Sequence, residues 1–137
     1  MPIANSNKDQ LKTSLDRCIK LIGQGKYREA IRILHPLTER HPRSAAVFGT
    51  LGRAFFEIGD MEKAREAFQS AVGLNPKSEL ASLGLFHSLW GLHAASEAFA
   101  EMRRFLSITD SSEYKTLLRD LAVEGHLAPR LEPAGAA

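Results

Sequence analysis

The stretch AAVFGTLGRAFFEIGDMEKAREAFQSAVGLNP, Ala45 to Pro76, decides the fold. Its first part has apolar residues at helical spacing and runs to Gly59, a residue type that commonly ends a helix. Asp60 can then cap a second helix, which Pro76 ends. The stretch therefore predicts two consecutive helices joined by a tight turn.

The same pattern occurs three times along the chain at a fixed interval in sequence. That interval separates Ala30 from Ala64 and Ala64 from Ala98. The residues that recur are Ala64, Phe68, Ala71 and Pro76 in the middle copy, Ala30, Leu34, Leu37 and Pro42 before it, and Ala98, Met102, Phe105 and Asp110 after it. The turn between the helices recurs too, at Gly25, Gly59 and His93. Because no segment alternates apolar and polar residues as a strand does, the sequence predicts an all-α chain built from three helix pairs.

The middle pair resembles the tetratricopeptide repeat (TPR) family, whose pattern is W-x2-L-G-x2-Y followed by A-x3-F, A and P. The matching residues are Phe48, Leu51, Gly52, Phe55, Ala64, Phe68, Ala71 and Pro76. The outer pairs depart from it, since Cys18 and Phe86 stand in place of Gly and Asp110 in place of Pro. The resemblance implies an α-solenoid of three antiparallel helix pairs. The predicted repeats are about 11–44, 45–78 and 79–112.

A capping helix is predicted after the third repeat, at about residues 112–124. Its single apolar stripe consists of Tyr114, Leu117, Leu118 and Leu121. A stacked repeat leaves its last apolar face open, and a helix of this kind covers it. We expect residues 9–125 to form the TPR domain. Residues 1–8 and 126–137 have little apolar periodicity and are expected to be disordered.

The glycines of the string GTLG do not form a phosphate-binding loop. Such a loop needs G-x-x-x-x-G-K-[ST] after a strand, whereas Gly49 and Gly52 lie inside a predicted helix, where their N–H groups are already bonded. The Gly25-Lys26 pair lacks both the upstream Gly and the following Ser or Thr. We expect Gly52 to let the two helices of its repeat pack closely, and Gly49 to face the concave side.

The histidines and the single cysteine give no catalytic or metal-binding pattern. His35 and His41 are six residues apart, as are His87 and His93, so neither pair has the spacing that offers two metal ligands on one helix. Cys18 falls on the packed face of its helix, which suits an inert buried thiol. The chain is therefore predicted not to be an enzyme, with no cofactor and no metal.

Composition indicates an ordinary globular domain, with 44% hydrophobic and 25% charged residues. The net charge of +2 is spread without a block of like charges, so a nucleic-acid partner is not expected. No apolar run is long enough to cross a membrane, and the N-terminus lacks the apolar core of a signal peptide. The predicted location is the cytoplasm.

The TPR resemblance assigns the concave groove to the first helix of each repeat. There, one stripe per helix follows i, i+3, i+7, i+10 spacing. The candidate protein-binding residues are Leu15, Ile19, Gly49, Arg53, Phe56, Leu80, Leu83, His87 and Trp90; Lys12, Ile22 and Ala46 complete the stripes. Phe56 and Trp90 are of the size usual for binding hot spots. Gly49, Gly84 and Gly91 are expected to give a ligand access to the backbone.

The partner implied by these stripes is an apolar peptide or helix of another protein. TPR domains that hold the carboxylates of chaperone tails use Lys, Asn and Arg at groove positions. Here those positions hold Leu15, Ile19, Thr50, Leu80 and Gly84. The predicted function is thus an adaptor or a substrate-specific chaperone. The alternatives are a self-associating assembly protein that buries the same groove, a chaperone of the secretion-system type, or a groove covered by the C-terminal helix or tail.

Overall fold

The computed structural model describes residues 3–125, with side chains from residue 7 onward. Every regular element in that range is a helix, which confirms the predicted all-α class. The seven helices are α1 Ile3–Gly23, α2 Tyr27–Arg40, α3 Ala45–Glu57, α4 Met61–Leu74, α5 Glu79–Gly91, α6 Ala95–Ile108 and α7 Ser112–Val123.

The helices stack in sequence as three pairs and a capping helix, as predicted. From α1 to α6, each helix packs against the next, and α3 also contacts both α1 and α5. The first helices of the pairs therefore form one layer, and the second helices, α2, α4 and α6, form the other. This arrangement puts α1 at one end of the stack and α7 at the other, with the groove-side stripes in the layer of first helices.

Side-chain caps fix where four of the helices begin. The hydroxyl or carboxylate of the residue before the helix accepts a hydrogen bond from the backbone N–H three residues on. The caps are Ser44 (3.3 Å), Asp60 (3.2 Å), Ser78 (3.2 Å) and Ser111 (3.1 Å). The predicted cap at Asp60 is confirmed. Ser111 follows Ser78 by one residue fewer than the repeat period. As a result, α7 begins one residue earlier than the repeat period predicts.

The positions that recur at the repeat period form the core. All nine helical members are buried: Ala30, Leu34, Leu37, Ala64, Phe68, Ala71, Ala98, Met102 and Phe105. Cys18 is also fully buried, and its Sγ lies 3.9 Å from the Ala30 carbonyl oxygen. Burial raises the pKa of this thiol, which keeps it protonated and supports the inert role predicted for it.

One aromatic ring fills the space above two glycines. A Cβ at Gly52 would lie 2.9 Å from Cγ of Phe68, and a Cβ at Gly84 would lie 2.4 Å from Cε1 of the same ring. Phe68 of α4 is therefore held between α3 and α5. The predicted packing role of Gly52 is confirmed, and Gly84 has the same role from the other side.

A buried polar network ties α7 to the third repeat. Ser82 donates to Oε2 of Glu101 at 2.6 Å, and the hydroxyl of Tyr114 lies 2.7 Å from the Ser82 oxygen. Because the Ser82 proton is given to Glu101, Tyr114 is the donor to Ser82. Arg104 donates to both oxygens of Glu101 and, at 3.0 Å, to the carbonyl of Pro76. Every buried polar side chain in this cluster therefore has a partner.

The first helix begins earlier than the sequence predicts. Residues 3–8 are helical, whereas the sequence predicted that residues 1–8 lack order. These six residues contain neither Gly nor Pro, and extending an established helix costs far less than starting one. The packed helix can therefore continue back to Ile3. The predicted disorder of residues 126–137 lies outside the described residues, and the other domain boundaries stay predictions.

Replacing His93 with Gly is expected to stabilise the protein. His93 has a φ of 62°, in the left-handed region that Gly25 and Gly59 occupy at the matching turns, with φ of 77° and 85°. Removing the side chain relieves a backbone cost of about 1–2 kcal/mol. Part of this gain in stability is lost, because glycine makes the unfolded chain more flexible. We expect the free energy of unfolding to rise by about 0.5 kcal/mol in urea denaturation.

The reciprocal change, Gly59→His, supplies the matched control. It puts a side chain into the same backbone conformation and should lower the free energy of unfolding by about 1 kcal/mol. Equal effects of the two substitutions in the same direction would contradict this account of the turns.

Candidate protein-binding groove

The nine predicted groove residues all lie on α1, α3 and α5, the helices of one layer, but they differ in exposure. Ile19, Arg53, Leu80 and His87 are exposed, while Leu15, Gly49, Phe56, Leu83 and Trp90 are half-buried. Ile22, which completes the stripe on α1, is buried and belongs to the core. Of the exposed members, Ile19 and Leu80 are apolar and Arg53 and His87 are polar. We call Ile19 and Leu80, together with the half-buried apolar members, the apolar strip.

Two aliphatic side chains are far more exposed than core residues. Leu80 is 81% exposed and Ile19 is 49% exposed. Between their helices lies Gly49, where an added Cβ would meet nothing within 4 Å. The face thus combines protruding aliphatic groups on α1 and α5 with an open notch on α3.

His87 links the groove to the aromatic core. Its ring lies edge-on to Phe56, with centroids 6.4 Å apart, and edge-on to Phe86 at 5.6 Å. Part of the imidazole is desolvated by these neighbours, and burial lowers the pKa of His87 below its usual range. The imidazole is therefore neutral at pH 7, and it can donate or accept a hydrogen bond at the surface without carrying charge.

Trp90 packs more closely into the protein than an exposed binding residue would. Its ring stacks on Phe86 with centroids 6.0 Å apart and meets Phe99 edge-on at 5.7 Å. Phe86, which stands where the TPR pattern has Gly, also contacts Tyr114 at 5.9 Å. Sequence reasoning treated Phe86 only as a departure from the pattern, although a large buried ring in a glycine position signals that the neighbouring packing has changed.

Two of the three glycines expected to leave room for a ligand do not do so. The space above Gly84 is filled by Phe68, and a Cβ at Gly91 would lie 3.1 Å from Cγ and Sδ of Met61. Both glycines are packing contacts between α5 and α4, because α4 lies against the flank of α5 that carries them. Only Gly49 of the three is open.

We also searched the described residues for a metal-binding cluster and for a membrane-spanning helix. Within residues 3–125, no three His, Cys, Asp or Glu side chains are grouped so that they could hold a metal ion. No helix in the same range is long and apolar enough to cross a membrane.

The comparisons with known proteins agree with the repeat geometry. A family model of the tetratricopeptide repeat matches residues 19–79, from the end of α1 to the start of α5. Over those residues the chain matches the tetratricopeptide repeat family. TPR proteins serve as protein-interaction scaffolds, so this chain carries an interaction fold.

One relative in sequence is intraflagellar transport protein 70A of Danio rerio. It is 30% identical to this TPR chain over 105 residues. The match covers 77% of this chain but only 16% of the relative. The chain thus spans about a sixth of the length of that protein.

Two solved structures show the same fold at low sequence identity. The second TPR domain of Spaghetti (RPAP3), bound to an HSP90 peptide, has a TM-score of 0.70 and 21% identity, covering 79% of this chain and 100% of that one. The type III secretion translocator chaperone SycD of Yersinia enterocolitica has a TM-score of 0.76 and 17% identity, covering 90% and 96%. These likenesses establish the TPR fold of this chain.

Proposed function

We propose that this TPR protein is a non-enzymatic interaction module that binds an apolar peptide or helix of another protein on its groove face. The observation that carries the proposal is the exposed strip on the first helices, where Leu80 protrudes and Gly49 is open. Exposed aliphatic groups grouped on one face commonly mark an interaction site. An amphipathic guest can lay its apolar side on the strip. The cytoplasmic location stays a prediction.

The groove chemistry favours an apolar guest over an acidic chain end. At the positions where tail-binding TPR domains hold a carboxylate, Leu80 is exposed and aliphatic, and the space above Gly84 is taken by Phe68. These groups offer no donor to a carboxylate. Arg53 is exposed beside Phe56 and can orient a guest through a single charged contact.

Capture from a lysate of the native host, with the wild-type chain and a Leu80→Asp variant, tests the proposal. Leu80 is so exposed that an aspartate there should leave the fold intact, yet it places a charge on the apolar strip. We expect recovery of the bound protein, measured by mass spectrometry, to fall about 10-fold or more. Phe56→Ala should weaken capture in the same direction.

Ile108→Asp is the matched control. Ile108 is 42% exposed at the end of α6, in the layer of second helices, so the same chemical change falls outside the groove. Equal loss of the captured protein in Ile108→Asp and Leu80→Asp would show that the contact is nonspecific. Equal retention in wild type, Leu80→Asp and Phe56→Ala would exclude the groove as the binding face.

A further inference from the structure

Formal charge changes steadily along the stack of helices. Residues 1–44 carry nine Lys or Arg and four Asp or Glu, residues 45–78 carry four of each, and residues 79–125 carry four and seven. The first repeat is therefore strongly basic, the second neutral and the last part acidic. The small net charge of the whole chain conceals this asymmetry.

The basic charges of the first repeat are available to a partner. All nine Lys and Arg side chains of residues 1–44 are exposed, and none forms an ion pair within the described residues. On α1, Lys8, Lys12 and Ile19 follow i, i+4, i+11 spacing and share one stripe. Since Ile19 is a groove residue, two of the cations line the edge of the groove face at that end.

The opposite edge of the same face is acidic. Positions in α5 and α7 can be matched by counting from their N-cap residues, Ser78 and Ser111. Glu113 of α7 then corresponds to Leu80 of α5, and Asp120 corresponds to His87. Both carboxylates are exposed. The groove face therefore has Lys8 and Lys12, with the exposed carboxylate of Asp16 beside them, at its α1 edge, an apolar strip across its middle and carboxylates at its α7 edge.

A face with this pattern is complementary to itself. We propose that two copies of the chain form a dimer through their groove faces, about a two-fold axis that runs parallel to the first helices. That axis sets α1 of one copy opposite α7 of the other, so that Lys12 and Glu113 face each other twice in the dimer. A two-fold axis along the stack would instead place like charges together, which is unfavourable.

The shapes at the centre of the face fit the same arrangement. About that axis, α5 of one copy lies opposite α3 of the other, with corresponding positions at the same level. Leu80 then faces Ala46 and the open notch at Gly49 of the second copy. The most exposed aliphatic group of the strip thus meets its smallest residues, which favours close packing between the copies.

A second copy fits this surface better than a polyanion does. A nucleic acid or an anionic membrane would gain from the basic α1 edge, but the acidic α7 edge of the same face would repel it. The second copy offers a carboxylate to Lys12 and a cation to Glu113 at the same time. The dimer rests on the face named in the proposed function, and guest binding would have to compete with it.

Charge reversal at each edge, with the mass followed by analytical ultracentrifugation at low salt, tests the dimer. We expect wild type to be dimeric, with the dissociation constant rising about 10-fold or more in Lys8→Glu/Lys12→Glu and also in Glu113→Lys/Asp120→Lys. An equimolar mixture of the two variants should recover a 1:1 heterodimer, because each copy then offers the charges that the other needs. Arg28→Glu/Arg32→Glu on α2 makes the same change in net charge in the other layer and should leave the dimer intact.

Several results would overturn the proposal. One is a wild type that stays monomeric at its highest soluble concentration and low salt, and another is an edge variant that dimerises as wild type does. Mixed species larger than two copies would indicate head-to-tail chains in place of a two-fold dimer. Duplex DNA binding by a monomer, lost in Lys8→Glu/Lys12→Glu, would assign the basic edge to a polyanion. A wild-type monomer whose captured protein is lost on Leu80→Asp would overturn the dimer while supporting the proposed function.

Discussion

Tyr114→Ala is expected to lower the free energy of unfolding by about 3–5 kcal/mol, the usual cost of deleting a buried aromatic ring. Tyr114 is 0% exposed, and its ring packs against Phe86 and, at 5.8 Å, against Phe105. The alanine would leave a cavity between α7 and the third repeat. Because a domain of this size has roughly 5–15 kcal/mol of stability, the loss should be plain in urea denaturation followed by circular dichroism.

Two substitutions on the same helix show whether the ring is responsible. Val123→Ala removes an apolar side chain that is 83% exposed and should change the free energy of unfolding by less than about 0.5 kcal/mol. Tyr114→Phe keeps the ring and removes the hydroxyl that donates to Ser82, so it should cost about 1 kcal/mol. A Tyr114→Ala effect no larger than that of Tyr114→Phe would mean that α7 does not close the core.

The buried hydroxyl of Tyr114 should make the stability of the protein depend on pH in the alkaline range. Burial, the largest cause, raises the pKa of Tyr114 from 10.0 to about 12. The folded protein therefore holds this proton more tightly than the unfolded chain does. The stability that this contributes is complete below pH 10 and is lost as pH rises from 10 to about 12. Tyr114→Phe should lose less stability across that interval than wild type does.

The repeat period predicted the fold because it depends on local and regularly spaced signals. Helix ends at Gly59 and Asp60 follow from the chemistry of a few adjacent residues. The buried face of each second helix follows from the fixed spacing between repeats. By contrast, the network that holds α7 joins Ser82, Glu101 and Tyr114, which are far apart in sequence and come from three helices. Nothing local marks such a contact, so the sequence did not reveal it.

The sequence predicted which side of each first helix lines the groove, but not which residues on that side are exposed. Helical spacing selects residues on one side of a helix, and the exposure of Ile19 and Leu80 agrees with that selection. Spacing does not tell whether a neighbouring helix covers the flank of the stripe. That coverage depends on the size of groups on another helix, such as Phe68 over Gly84. The binding role of the nine residues stays a prediction.

Gly84→Ala is expected to lower the free energy of unfolding by about 2 kcal/mol, because it overpacks the core. The new Cβ would lie 2.4 Å from the ring of Phe68, which has no room to move away because Gly52 of α3 lies against the same ring. Overpacking of this kind costs about 1–3 kcal/mol and outweighs the gain in helix propensity. Thermal or urea unfolding of the purified variant measures the loss.

Gly49→Ala is the matched control, since it makes the same chemical change in open space on the neighbouring helix of the same layer. With nothing within 4 Å of its Cβ, only the helix propensity changes, and the free energy of unfolding should rise by up to about 1 kcal/mol. Phe68→Leu introduced into Gly84→Ala should restore part of the lost stability, because the smaller side chain makes room for the methyl group. A shift of stability in the same direction for Gly84→Ala and Gly49→Ala would contradict this account. It would mean that Gly84 is not a packing position distinct from an open notch at Gly49, and the floor of the proposed groove would then lie elsewhere.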